Sequence, residues 1–438
     1  VLFRSRIFIK KKININNNMN RRKFIQNSIL TTSALAITNT TLASFAGNKK
    51  ILKDKTSDHL IEDIEFINAN DRMLRVEKAA LLMQKNSIDA IFIESGTSLE
   101  YFTGIKWWPS ERLTAALIHS DGSLYYICPA YEEERLIELI TLKGNIFTWQ
   151  EHQSPFALLK KIFQTKGLNS GILGIEESVR FFLSNGIKRE LTGFKRVDAK
   201  PITSGCRAIK SRKELALMKK ANQITLQAYK KGFSQLKEGM SQYDLDAIIS
   251  NSMSTLGATA MGYVGSTFGK YTSLPHGSST AKNLKEGDIV LVDGGCKYGG
   301  YQADITRTTI FGKPNQKQTD VWNIVKEAQS AVYDVAKPGV PCELLDATAR
   351  KIMNKRGYGT GYANFFHRVG HGVGMDFHEW EYLVKGNNTI LQPGMCFSNE
   401  PGLYLTEEFG VRIEDCFHIT ENGYEAFTPQ SLSIENPI

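Results

Sequence analysis

Between Asp71 and Asn86 the apolar residues Met73, Leu74, Ala80, Leu81 and Leu82 recur at helical spacing among charged positions, which predicts an amphipathic helix. The apolar run Ile88 to Ile93 predicts a strand. Leu113 to His119 and Leu124 to Cys128 predict two more, with Asp121-Gly122 as the hairpin turn between them. Tyr131 to Ile140 reads as helix and Gly171 to Ile175 as a further short strand. This alternation of helix and strand predicts an α/β domain over residues 70–200. Past Arg207 the pattern changes. A long amphipathic helix spans Ser211 to Phe233 and a second spans Tyr243 to Leu256. Glycine-rich strands follow, and then another helix pair, Thr319 to Ala336 and Cys342 to Lys355. The fold class is α/β (α+β), in two domains.

The second half of the chain carries a pattern that repeats. Lys237-Glu238-Gly239-Met240 precedes Leu245-Asp246-Ala247, and Lys337-Pro338-Gly339-Val340 precedes Leu345-Asp346-Ala347. Each Lys-x-Gly turn separates two helices. Further on, Leu284-Lys285-Glu286-Gly287 opens a strand read as ending at Asp293, and Leu391-Gln392-Pro393-Gly394 opens one read as ending at Glu400. Both strands place a carboxylate six residues after the glycine. Two such halves predict a pseudo-twofold fold with carboxylates meeting at its centre.

Composition changes this picture at one end only. The net charge is +9, but residues 1–53 hold eleven Lys and Arg and no acid, so the remainder carries −2. The body therefore gives no reason to expect nucleic acid. Met19 is read as the start, with residues 1–18 upstream of it. From there Asn20-Arg21-Arg22-Lys23-Phe24-Ile25, the apolar run Ser28 to Ile37 and the small residues Ser44-Phe45-Ala46 resemble a twin-arginine export signal. That predicts an extracytoplasmic, periplasmic location, with no membrane span after cleavage. No stretch reaches the roughly 20 apolar residues of a span. The six cysteines form no C-x-x-C pair and read as free core thiols.

Five segments carry the chemistry. Asp293 follows Val290-Leu291-Val292. Asp304 lies in Gln302-Ala303-Asp304-Ile305-Thr306, eleven residues on, a spacing suited to one hairpin. The third segment is His367-Arg368-Val369-Gly370-His371-Gly372, running on to His378 and Glu379. The last two are Asn399-Glu400-Pro401-Gly402 and Val411-Arg412-Ile413-Glu414. Buried lone carboxylates cost several kcal/mol each, so four acids on apolar strands ask for a cation. A set rich in oxygen with one imidazole suits Mn²⁺, Co²⁺ or Fe²⁺ better than a structural zinc. The helical H-E-x-x-H zinc motif fails, because Tyr382 stands where its second histidine would be. Trp107-Trp108-Pro109 reads as a loop that faces either substrate or packed neighbours.

Together the five segments resemble the creatinase/aminopeptidase P/prolidase superfamily, over residues 71–430, with the Xaa-Pro peptidases nearest. The twin-arginine resemblance implies a signal extension over 1–47, and the polar stretch after it reads as part of a linker over 48–70. The superfamily resemblance implies a creatinase/prolidase-like N-terminal domain over 71–205 and a pita-bread catalytic domain over 206–438. It implies that Asp293, Asp304, His371, Glu400 and Glu414 bind two divalent metal ions, Mn²⁺ first, with Co²⁺, Fe²⁺ or Zn²⁺ as alternatives. It further implies that His276 contacts substrate near the scissile bond and that His367 lines a proline pocket. His378 would stabilise the tetrahedral intermediate, Glu400 would help to activate the bridging water, and Arg412 would stand near Glu414. The implied activity is hydrolysis of Xaa-Pro bonds by a hydroxide activated between two metals. The substrate is a peptide with proline at its second position, and the assembly is a homo-oligomer, a dimer. A metal-using relative acting on a small non-peptide substrate, an ectoine-type hydrolase or a sulfonium lyase, is the alternative.

Overall fold

The structure, a computed structural model, describes residues 64–438. The expected export signal, the expected Met19 start and most of the expected linker lie outside these residues.

The N-terminal domain runs α1 (Ala69–Lys85), β1 (Ala90–Glu94), α2 (Thr97–Thr103), β2 (Ala115–His119), β3 (Leu124–Pro129), α3 (Glu133–Leu139), β4 (Asn145–Trp149), α4 (Pro155–Thr165), β5 (Gly171–Ile175), α5 (Phe181–Glu190), β6 (Phe194–Asp198) and α6 (Lys200–Arg207). Its six strands form one mixed sheet in the order β4-β3-β2-β1-β5-β6. Strand β1 is apolar at successive positions because both its faces are covered. Ile91 and Ile93 pack with α1 through Val76, Ala79 and Met83. Ala90 and Phe92 pack with α4 and α5 through Leu159, Phe163, Leu183 and Ile187.

The catalytic domain begins with α7 (Arg212–Phe233) and α8 (Gln242–Thr255), then β7 (Ala260–Phe268), β8 (Ile289–Tyr298), β9 (Tyr301–Gln302) and β10 (Ile305–Ile310). A second series follows: α9 (Gln316–Val335), α10 (Cys342–Lys355), β11 (Gly370–Gly372), β12 (Glu379–Leu383), β13 (Cys396–Asn399), β14 (Gly402–Leu405), β15 (Phe409–Arg412), β16 (Asp415–Ile419) and β17 (Tyr424–Ala426). Reciprocal capping boxes start α7 at Ser211–Glu214, α8 at Ser241–Asp244 and α9 at Asn315–Gln318.

The repeat extends to single hydrogen bonds. Gly239 N donates to Leu284 O (2.9 Å) and Leu284 N to Met240 O (2.8 Å). Gly339 N donates to Leu391 O (3.0 Å) and Leu391 N to Val340 O (2.9 Å). Gly239 and Gly339 hold φ of +80° and +85°, the left-handed turn that glycine adopts without strain.

One expectation needs correction. Asp293 does not end its strand; β8 continues through Gly294-Gly295 to Tyr298. A Cβ on Gly294 would lie 1.9 Å from Tyr263 O on β7, so the glycine pair marks close strand approach and not a terminus. The alternation of β8 then decides what Asp293 faces. Val290 and Val292 enter the core below α7 and α8, which turns Asp293 to the opposite face.

The two domains are tied by buried ion pairs. Arg75 of α1 reaches Glu214 of α7 (3.1 Å) and the Tyr301 hydroxyl (2.8 Å). Arg207 of α6 reaches Glu379 of β12 (2.5 Å) and Asp376 (2.7 Å), and Lys210 completes the set on Glu379 (3.0 Å).

Candidate metal centre

Antiparallel pairing of β8 and β10 sets Asp293 opposite Thr306, so Asp304, two residues before Thr306, falls on the same face. Glu400 follows β13, and Glu414 stands between β15 and β16. His371 sits within the short strand β11, which pairs with β13 beside Glu400. Asp304, His371 and Glu414 offer ligand atoms within 4.8 Å of one another. His371 Nε2 is 3.2 Å from Glu400 and 3.6 Å from Asp304. All eight residues singled out besides Glu400 (Asp293, Asp304, His371, Glu414, His276, His367, His378 and Arg412) line, with it, one cavity of about 760 Å³.

The electrostatics of this cavity fit divalent cations. Burial, then repulsion by Asp293 in one case and by Asp304 in the other, pushes the Asp304 and Glu414 carboxyls well above their usual range. Burial would also raise Glu400, but the His371 hydrogen bond and the charges of His367, His371 and Arg412 outweigh it and hold Glu400 low. Burial would lower His371, and the hydrogen bond and charge of Glu400 with the charge of Asp304 raise it instead. Four acids thus converge where too little positive charge answers them. The His371 Nδ1 lies 3.0 Å from Gly372 O, which in the neutral ring places the proton there and leaves the Nε2 lone pair facing the carboxylate cluster as a ligand atom for a cation. An oxygen-rich set with one imidazole is the donor chemistry of borderline and hard divalent ions.

Behind these candidate ligands a hydrogen-bond chain fixes their positions. Thr306 Oγ1 lies 2.8 Å from Asp293 Oδ1 and 2.6 Å from Glu414 Oε2, so its one proton serves either carboxylate in turn, and it accepts from Arg412 Nε (2.9 Å). Arg412 also pairs with Asp293 Oδ2 at 2.8 Å and donates to the Tyr404 hydroxyl at 2.9 Å. Tyr404 in turn meets His367 Nε2 at 2.7 Å. Arg412 therefore pairs with Asp293 directly, while its hydrogen-bond link to Glu414 runs through Thr306. Deeper still, Arg307 donates to Glu414 O (2.7 Å) and pairs with buried Asp415 (2.6 Å), which locks the loop that carries Glu414. Sequence reasoning missed Thr306, Tyr404 and Arg307. Thr306 alone left a signal, as the residue two beyond Asp304 on the same strand face.

The remaining histidines surround the mouth. His378 is exposed, with its ring 4.0 Å from that of His371. Partial desolvation of the ring on its site-facing side, the charge of His371 and that of Arg368 push its pKa down to about 4. His276 follows a short 3₁₀ turn and is also exposed at the mouth. His367 is half-buried and burial lowers its pKa. Of the tryptophan loop, Trp107 packs under Arg135, Trp108 is 89% exposed and Pro109 lines a neighbouring cavity. All six cysteines are buried and free.

Two related half-sheets, each backed by a helix pair, with acids and one histidine meeting between them, define a metallohydrolase of the pita-bread type. Residues 216–421 match metallopeptidase family M24, and residues 75–209 match the creatinase/prolidase N-terminal domain. The chain is 32% identical to the Xaa-Pro dipeptidase of Pyrococcus furiosus over 359 residues, covering 81% of this chain and 97% of that one. It is similar to the recombinant prolidase of Thermococcus sibiricus (31% identity, TM-score 0.75, covering 81% of this chain and 96% of the other). It is also similar to dipeptidase PepE of Mycobacterium ulcerans (28% identity, TM-score 0.78, covering 83% and 97%). The chain belongs to metallopeptidase family M24.

Proposed function

We propose that this chain hydrolyses the bond between an N-terminal residue and a following proline, as an Xaa-Pro dipeptidase or Xaa-Pro aminopeptidase. The observation that carries the reading is the convergence of four acids and His371 with three further histidines on one cavity. The relatives named Xaa-Pro dipeptidase, prolidase and dipeptidase support the substrate class.

Asp293, Asp304, His371, Glu400 and Glu414 hold two divalent ions, and Mn²⁺ suits these donors best. Bound there, the ions supply Lewis acidity and a water that ionises near neutral pH. Glu400, held ionised by His371 and Arg412, takes a proton from the attacking water. His378 is neutral above about pH 4 and donates an N–H to the oxyanion as it forms. His276 contacts the substrate beside the scissile bond. An imide bond to proline has no N–H to recognise, so a shaped wall must replace that hydrogen bond. His367, oriented by Tyr404, forms this wall with Phe366 and Phe377.

The mature chain acts outside the cytoplasm after twin-arginine export, and as a homodimer. The Arg21-Arg22 pair supports the first. Among the described residues no helix is long and apolar enough to cross a membrane. Two measurements test the reading. Chelated protein reloaded with Mn²⁺ should cleave Ala-Pro or Ala-Pro-Ala and spare Ala-Ala, and failure on all three would remove the peptidase reading. The Arg21→Lys, Arg22→Lys double variant should remain unprocessed in the cytoplasm, and normal export would remove the signal.

A further inference from the structure

The cations that line the metal cavity are not equally committed. Arg412 is saturated, because its donors go to Thr306, the Pro275 carbonyl, Tyr404 and Asp293. His367 uses both ring nitrogens, on the Arg368 carbonyl and on Tyr404. Arg368 lines the same cavity, half-buried, and its guanidinium has no hydrogen bond or ion pair among the described residues. What holds it is Tyr382, whose ring centroid lies 4.0 Å from the Arg368 Cζ.

Position gives this free cation a meaning. A second cavity of about 600 Å³ adjoins the first and shares one lining residue with it, His378. Tyr382 lines the second cavity and Arg368 the first, so Arg368, Tyr382 and His378 form the ridge between them. The far side holds Glu94, Glu177 and Asp376 in its wall together with Arg180 and Arg207, but these two cations are already committed, Arg180 to Glu94 and Arg207 to Asp376. The near side holds the four ligand carboxylates. A planar fork of donors stacked on an aromatic ring is organised in advance for a carboxylate. Stacking alone holds a guanidinium only weakly at a partly exposed site.

We infer that Arg368 binds the free α-carboxylate of the substrate's proline, and so selects Xaa-Pro dipeptides over longer peptides. The inference rests on the Xaa-Pro reading above and deepens it. In a dipeptide the carboxylate sits two bonds from the imide nitrogen. It must therefore lie next to the metal centre, where acids would repel it and Arg368 is the uncommitted donor. In a longer peptide that carboxylate is an amide, which offers Arg368 no charge.

The test compares Ala-Pro, Ala-Pro-amide and Ala-Pro-Ala on the Mn²⁺-loaded enzyme. The wild type should favour Ala-Pro over its amide in kcat/KM. Arg368→Gln should lower that acid-to-amide ratio about 10–100-fold, the usual effect of losing a hydrogen-bonded charged group, mainly through KM for Ala-Pro. Arg368→Lys, which keeps charge and loses the fork, should fall between. Tyr382→Leu removes only the platform, should move the ratio the same way by less, and serves if Arg368→Gln does not fold. A wild type indifferent to the carboxylate, or a ratio that Arg368→Gln leaves unchanged while cleavage persists, overturns the Arg368 assignment alone. Cleavage of none of the three peptides overturns the Xaa-Pro reading and the inference with it.

Discussion

His371 and His378 sit with their rings 4.0 Å apart, yet their surroundings assign them opposite work. His371 is buried, its Nδ1 turned to a backbone carbonyl and its Nε2 to two carboxylates. His378 is exposed and is kept neutral. His378→Ala should therefore lower kcat on Ala-Pro by about 10²–10³-fold, the usual effect of losing one oxyanion donor, with metal content near wild type. His371→Ala should lose metal. A His378→Ala enzyme with near wild-type kcat would show that the ring is not used. At this scale the acids were legible, because carboxylates on apolar strands are anomalies that need a partner. Tyr404 and Arg368 were not. Their roles depend on what stands beside them in space: Tyr404 on Arg412 and His367, and Arg368 on Tyr382.

Among the elements, the long amphipathic helices of the catalytic domain could be read to within a few residues. The start of α9 came later in the sequence reading than in the structure, since its apolar rhythm begins at Val321 while the Asn315–Gln318 box starts the helix at Gln316. In the N-terminal domain α2, α4, α5, α6, β4 and β6 went unread. Strand β6, Phe-Lys-Arg-Val-Asp, lies at the edge of the sheet and carries the charges of a loop. The repeat was legible because its turns require glycine at matching places.

Strand β12 also begins with a residue whose role only the fold reveals. Glu379 joins the domains through Arg207 and Lys210. Burial would raise its pKa, but these two cations overcome that and hold it down to about 2. Glu379→Gln leaves Lys210 buried without its charge partner and should destabilise the fold by about 3–5 kcal/mol, the usual cost of breaking a buried pair from one side. The sign with pH follows from the lowered value. The contribution is fully present above the ordinary value of 4.5 and is lost as pH falls toward about 2. Urea unfolding should show a gap between wild type and variant at pH 7 that narrows below about 4.5. Equal midpoints at pH 7 would mean that the pairs contribute nothing.

For the molecule as a whole, two domains and their order were legible from texture alone, and the joint between them was not. Metal, charge and stability meet at the centre. Asp304 and Glu414 have folded-state values above their ordinary 3.8 and 4.5, so the folded chain holds more protons there than the unfolded one. Without metal, these groups cost stability progressively as pH rises from about 4 toward their folded values. Divalent ions relieve that repulsion and stabilise the fold by mass action. The most direct measurement is a titration of chelated protein with Mn²⁺, following bound metal, heat and Ala-Pro hydrolysis on the same samples. Two ions should bind per chain and activity should rise with them, while Asp304→Ala and Glu414→Ala each lose at least one ion together with the activity. Two ions bound and full hydrolysis in both variants would contradict the assignment of this centre.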